Sequence, residues 1–362
     1  MQLNIQRDTF LDGLSRVAPI TNQRTTLPIL NNVLIDAGAT TLTLMATNLE
    51  VGIRTEVEAE VQEPGRTTIP GHRLYQIVRE LPSQSVTVES GENHRLNLSC
   101  GNSNFTLAGM DPADYPDVAI PDVPESTSIE ASVLVDALDS VVFAAARGES
   151  RFNLAAVLFE PAEDKTRLVT TDGHRLASTV IPLTLHGDNR VVPRRGIEEL
   201  RKVVGSVSGD IRLGFTDDNL VVTTGGLTMS VRLIDATYPE WRNVVPDDEP
   251  ALVTANLEAL MRCLKRVTLL TSDLNKGATV QIEGGTMTLT ATHPDLGTAT
   301  DSVEVEHEGE PIEVVLNAAY LLDALSVLES ETVRLEYRPD GKPIIIRPSD
   351  GEYFSLVMPM RK

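Results

Sequence analysis

The chain has 362 residues, 41% of them hydrophobic and 23% charged. That is enough apolar material for two or three ordinary domains and rules out a wholly disordered chain. Lys plus Arg total 31 against 52 Asp plus Glu, a net charge of −21, which excludes a basic coat for nucleic acid and a general attraction to anionic membranes.

Taken in chain order, Phe10, Leu11, Leu14 and Val17 recur at helical spacing. Thr41-Leu42-Thr43-Leu44 then alternates with period two, as a half-buried strand does. Thr68-Ile69-Pro70 leads from a strand into a second helix over 72–80, followed by the strand Ser85-Val86-Thr87-Val88. A proline-rich stretch from Pro116 to Glu125 has linker composition. The order then restarts. Leu134, Leu138, Val141 and Val142 mark a helix over 132–146, and Val191-Val192-Pro193 leads into another over 194–204, before the strand Ile211-Arg212-Leu213. Pro246-Asp247-Asp248-Glu249-Pro250 is a second linker. Beyond it, helices are expected over 257–267 and 318–329, the latter after Val314-Val315-Leu316.

The restart is a repeat. Leu44-Met45-Ala46-Thr47-Asn48 returns as Leu168-Val169-Thr170-Thr171-Asp172 and as Leu289-Thr290-Ala291-Thr292-His293, offset by 124 and then 121 residues. The strand-to-helix junction recurs twice at 123, and Tyr115-Pro116 and Tyr238-Pro239 are also 123 apart. A unit of this length is a domain, not a solenoid repeat. The expected organisation is α+β: three similar domains over 1–119, 126–246 and 250–362, each an antiparallel sheet with two helices on one side.

The six expected helices together carry no net charge, so the acidic excess lies on strands, loops and linkers. Arg73 and Arg79, then Arg194, Arg195, Arg201 and Lys202, then Arg262, Lys265 and Arg266 make one helix per repeat basic. The residues alone leave two readings: solvated helix faces, or a surface that meets phosphates without reading bases. The chain has 7 Phe, 6 Tyr and 1 Trp, too few rings for a base-stacking single-strand binder. Cys100 and Cys263 stand far apart and match no metal spacing, which fits a reducing compartment. No metal and no cofactor is expected. No apolar run is long enough to span a membrane, and Met1-Gln2-Leu3-Asn4-Ile5 does not open a signal peptide. A cytoplasmic protein is expected.

Asp172-Gly173-His174-Arg175 is the most chemical-looking string. An acidic hydrolase would use Asp172 and His174 as an acid–base pair. The repeat speaks against this, because Asn48 and His293 stand where Asp172 does. A turn with Gly173 at an unusual backbone angle is the simpler reading.

Thr26-Leu27-Pro28-Ile29-Leu30-Asn31-Asn32, Thr171-Asp172-Gly173-His174-Arg175-Leu176 and the ending Val357-Met358-Pro359-Met360-Arg361 resemble the bacterial sliding clamps, the β subunits of the replicative DNA polymerase. The resemblance covers the whole chain, the threefold repeat included. It implies the DNA clamp fold and a head-to-tail dimer closing six domains into a ring around duplex DNA, with no chemistry of its own. By resemblance, a hydrophobic groove for partner peptides is built from Leu154, Thr171, Gly173, His174, Arg175, Leu176, Pro239, Val244, Tyr320, Pro343, Leu356, Val357, Met358, Pro359 and Met360. Phe105 and Leu107 resemble one half of the ring-closing contact, and Leu269 and Leu270 the other. Arg24 matches a DNA-contact position, and the basic helix residues would face the DNA. Implied partners are double-stranded DNA, a second copy, a clamp loader, replicative and repair polymerases, and mismatch-repair proteins; no membrane is implied. No Gly-x-x-x-x-Gly-Lys phosphate loop occurs, so an ATPase that opens the ring must be another protein. A monomeric peptide-binding module is the second alternative.

Overall fold

The computed structural model describes residues 1–21, 25–118, 120–121, 126–148, 154–272 and 276–360. Among these are six α-helices: α1 (Arg7–Val17), α2 (Gly71–Glu80), α3 (Ala131–Val142), α4 (Arg194–Val204), α5 (Leu257–Val267) and α6 (Ala318–Ser326). Asn256 caps α5 through the Ala259 N–H (2.9 Å), and Asn317 caps α6 through the N–H groups of Ala319 and Tyr320. Two helices are shorter than their apolar spacing suggests. After Val142 the chain tightens into turn bonds, Ala144 N–H to Val141 and Ala145 N–H to Val142, and Leu328 N–H likewise bonds back to Leu325. Apolar periodicity continues through such turns, so it does not mark where the helix stops.

The chain forms two compact units, Met1–Ser132 with Arg195–Leu233, and Val133–Arg194 with Ile234–Lys362. In the first, α1 turns Phe10, Leu14 and Val17 inward and α2 turns Leu74 and Val78 inward, over strand residues such as Ile35, Leu42, Leu44 and Ile53. In the second, α5 buries Leu260, Cys263, Leu264 and Val267, and α6 buries Leu321, Ala324 and Leu325, in a core with Val280, Leu289 and Ile346.

The strands differ from one sheet per repeat in how they join. A five-stranded sheet lies wholly within the first repeat, with Ser103–Ala108 as an outer strand. An eight-stranded sheet joins first-repeat strands to second-repeat strands where Val51–Glu58 pairs antiparallel with Leu227–Arg232. A twelve-stranded sheet joins the second repeat to the third where Arg175–Ile181 pairs antiparallel with Phe354–Val357. A strand's period fixes its faces but not its neighbour, so these junctions are invisible to pattern.

The approach to the outer strand is tight. Gly109 N–H bonds to the His94 carbonyl (2.9 Å), and a Cβ at this position would strike the carbonyl oxygens of Thr68 and His94. Neither backbone atom can swing aside as a side chain would. Gly109→Ala is expected to cost about 3 kcal/mol, the upper end for overpacking. A lower urea midpoint would register it; an unchanged midpoint would contradict the packing described.

Candidate functional site

Three turns, one per repeat, share a bond pattern built from three different residues. Asn48 Oδ1 accepts the N–H groups of Glu50 (3.0 Å) and Val51 (2.7 Å). Asp172 Oδ1 accepts those of His174 (2.9 Å) and Arg175 (3.1 Å). His293 Nδ1 accepts the Asp295 N–H (3.1 Å). Each side chain satisfies a turn that would otherwise leave amides unpaired. Asp172 Oδ2 also receives Arg175 Nε at 3.0 Å, which engages both carboxylate oxygens, while His174 is exposed. The pair is turn architecture, not an acid and a base. The residue after the acceptor lies in the left-handed region in the first two turns, Leu49 at φ 75° and Gly173 at φ 88°. Gly173 takes that conformation at little cost and adds no side chain over the site.

The second turn opens onto a cavity of about 280 Å³ lined by Leu154, Thr171, Gly173, Arg175, Leu176, Pro239, Glu240, Trp241, Val244, Leu356 and Met358. That is the lower edge of the ~300–1,000 Å³ typical of ligand pockets, room for a few large side chains. Strand pairing builds it. Leu176 stands opposite Leu356, and Met358 N–H extends the ladder to the His174 carbonyl at 2.8 Å. Buried Tyr238 anchors the far wall, its hydroxyl accepting the Thr171 N–H at 3.0 Å.

Arg175 is the buried charge of the site. Its Nε meets Asp172 (3.0 Å), its Nη1 meets Asp323 (2.6 Å), and its guanidinium lies 4.2 Å from the centre of the Tyr320 ring. Two carboxylates and a ring face fix it in one orientation. Trp241 was not foreseen in this wall. It is 8% exposed, its ring lies 6.2 Å from Phe354, and the Arg242 guanidinium covers it at 4.3 Å. Arg242 is held there by both oxygens of Glu160, at 2.8 and 2.7 Å.

Some expected groove residues lie elsewhere. His174 is on the exposed rim and Tyr320 lies beneath Arg175. Val357 is fully buried in the third-repeat core, because alternation turns 356 and 358 to one side and 357 to the other. Pro343 is buried, Pro359 is half-buried, and Met360 is exposed with its N–H on the Val315 carbonyl. At the junction of the first and second repeats the positions matching Leu176 and Leu356 are Gly52 and Ser230, which pair with each other. There Val118 occupies the space a Cβ on Gly52 would need. The duplicated turn therefore does not carry a duplicated apolar lining.

Of the basic helix residues, Arg73 and Arg79 of α2, Arg195 and Lys202 of α4, and Arg262, Lys265 and Arg266 of α5 are exposed. Arg201 is half-buried, and Arg194 turns back to donate Nη1 to the Ala145 carbonyl. Arg24 lies outside the described residues. Phe105 is 36% exposed on its outer strand, with Leu107 half-buried; Leu269 is 77% exposed beyond the end of α5, beside half-buried Leu270. Cys100 and Cys263 are buried free thiols, and burial pushes Cys263 up to about 11, the reverse of an activated nucleophile. Among the described residues no group of His, Cys, Asp or Glu is placed to hold a metal.

The N-terminal, central and C-terminal domains of the DNA polymerase III beta subunit match residues 1–120, 128–240 and 242–361. The chain belongs to the DNA polymerase III beta-subunit family. Beta sliding clamps from Pseudomonas putida and Escherichia coli are 31% and 27% identical to it over the full length of both chains. The DNA polymerase III subunit beta of Pseudomonas aeruginosa superposes with a TM-score of 0.95 at 31% identity, covering all of each chain. A Bartonella birtlesii sliding clamp solved with griselimycin also gives 0.95, at 28% identity and full coverage of both. With this family goes the role of a non-catalytic processivity factor, and the hydrolase alternative falls on family and turn geometry together.

Burial raises Tyr238 well above the ordinary tyrosine range and Tyr115 from 10.0 to about 12. Unfolded tyrosines ionise near pH 10 while these stay neutral, so their stabilisation is complete below pH 10 and lost as pH rises toward 12 and beyond. Each should remove about 1.4 kcal/mol per pH unit across that window. Tyr238→Phe should lessen the alkaline slope, yet cost about 1–3 kcal/mol at neutral pH by orphaning the Thr171 N–H. Denaturant titrations at pH 8, 10 and 11 check both; an unaltered slope in Tyr238→Phe would contradict the burial argument.

Proposed function

We propose that two copies of this chain close head to tail into a ring around duplex DNA, and that the cavity beside Gly173 takes the short peptide tails of replication and repair proteins. The observation that carries the reading is the apolar cavity itself, in a member of the sliding clamp family, between a turn of the second repeat and the terminal strand of the third. Leucine and methionine walls accept different apolar anchors without a fixed hydrogen-bond code. One such groove per chain would serve a clamp loader, replicative and repair polymerases and mismatch-repair proteins in turn.

Each chain would contribute modules over 1–119, 126–246 and 250–362. Ring closure would use the outer strand bearing Phe105 and Leu107 against the turn bearing Leu269 and Leu270. An outer strand with an exposed aromatic residue is otherwise an aggregation liability, and a head-to-tail contact must close or grow into a fibre. The cationic sides of α2, α4 and α5 would line the hole, while the acidic remainder repels stray nucleic acid. The site of action would be the cytoplasm; among the described residues no helix is long and apolar enough to cross a membrane.

After loading, the protein should remain on nicked circular DNA through a gel-filtration column and run off once the circle is cut. Equal loss from both forms would remove the topological claim. Val244 is 45% exposed, so Val244→Asp should fold. It should weaken binding of a Leu- and Phe-bearing peptide at least about tenfold, roughly the burial of one apolar side chain, with dimer mass and retention on circles intact. Unchanged peptide affinity would exclude the cavity.

A further inference from the structure

Four of the cations on α4 and α5 have neighbours of opposite charge. Arg195 Nη1 lies 4.0 Å from Glu50 Oε2, and Lys202 Nζ lies 2.9 Å from Glu199 Oε1. Arg262 bonds to Glu258 one turn before it, and Arg266 bonds to Asp301 on the strand Gly297–Glu306. Lys265 has no carboxylate partner among the described residues.

The four pairs are of two kinds. Glu258 and Glu50 are exposed, with side chains 73% and 52% accessible, and an exposed pair can exchange its partner for another anion at a cost of well under about 1 kcal/mol. Glu199 and Asp301 are not of that kind. Glu199 is 7% exposed within α4, and the Asp301 side chain is 26% accessible, also accepts the Ser302 N–H, and is held below the usual carboxylate range by Arg266. These two carboxylates are shielded and close to their partners, so they offset the charges of Lys202 and Arg266 where those side chains lie.

We propose that Glu199 and Asp301 are built-in counterions that hold down the grip of α4 and α5 on a phosphate backbone. The inference rests on the reading that these helices face DNA. Affinity for duplex DNA comes largely from releasing condensed counterions, about 0.9 of an ion per phosphate neutralised. A cation already offset by a fixed carboxylate releases little. Lys265, with Arg262 and Arg195 once their exposed partners yield, still supplies a weak, exchangeable attraction. A ring that is held topologically needs no more than that, and a stronger grip would slow its sliding.

Glu199→Gln with Asp301→Asn tests this in the full-length dimer, since both replacements keep size and hydrogen-bonding oxygen. The control is Glu92→Gln with Glu308→Gln, which removes the same charge from exposed turns. Binding to a 30-base-pair linear duplex is followed by fluorescence anisotropy from low to moderate salt. The helix variant should bind about tenfold tighter at low salt, with log K falling more steeply against log salt by roughly one to two units. It should also diffuse more slowly along circular DNA, and the control should match wild type. Equal slopes and affinities in the helix variant and wild type, with wild type still retained on circles, would overturn the proposal and leave the DNA reading intact. The same gain in the control would also overturn it, because total charge alone would be responsible. Loss of retention on circles by wild type would remove the DNA reading and this inference with it.

Discussion

The antiparallel ladder between Arg175–Ile181 and Phe354–Val357 joins two repeats through backbone hydrogen bonds, and the candidate site depends on its register. Arg175 opposite Val357 and Leu176 opposite Leu356 put the 171–175 turn beside the end of the chain. A shift of one residue would exchange Leu356 for Val357 at the groove wall and turn Leu356 into the core. The Asp172 carboxylate supports this register from the turn side, holding the amides of His174 and Arg175 and the Arg175 guanidinium together. The methionine at 358 reaches the cavity because its N–H continues the same ladder to His174. A chain with three copies of a module thus gains an apolar cavity from strand pairing alone.

The contrast between the first and second turns separates scaffold from site. Thr47 and Thr171 hydroxyls both bond to the carbonyl four residues on, at 2.9 and 2.6 Å, and the residues after Asn48 and Asp172 share a positive φ. The scaffold is therefore the same. What changes is the lining: Gly52 and Ser230 in one unit, Leu176 and Leu356 in the other. Apolar area removed from water is what binds a peptide anchor, so only the second arrangement suits one.

The basic helices and the turn at Asp172 were legible in the sequence because each depends on residues close together in the chain, and the threefold repeat because such short strings recur at one spacing. The cores follow from apolar spacing, as with Leu134 and Leu138 or Leu260 and Leu264. Glu258 with Arg262 and Glu199 with Lys202 lie at helical offsets of four and three and could have been read as pairs. Glu50 with Arg195, and Asp301 with Arg266, could not, since strand and helix meet there only on folding. Trp241 in the groove wall was missed for a related reason. It packs against Phe354, far along the chain, and Glu160 holds Arg242 over the indole ring from 82 residues away. The resemblance places Val357 in the groove with its neighbours, whereas strand alternation sends it to the other side.

Hydrogen–deuterium exchange on the intact protein, with and without a peptide carrying leucine and phenylalanine anchors, addresses the ladder-built groove most directly. A peptide seated in this groove slows exchange at amides of 171–176, 241–244 and 356–360 and leaves 47–52 unchanged, where the turn is the same but the lining is not. Protection centred on 47–52, or on neither turn, would contradict the groove assignment.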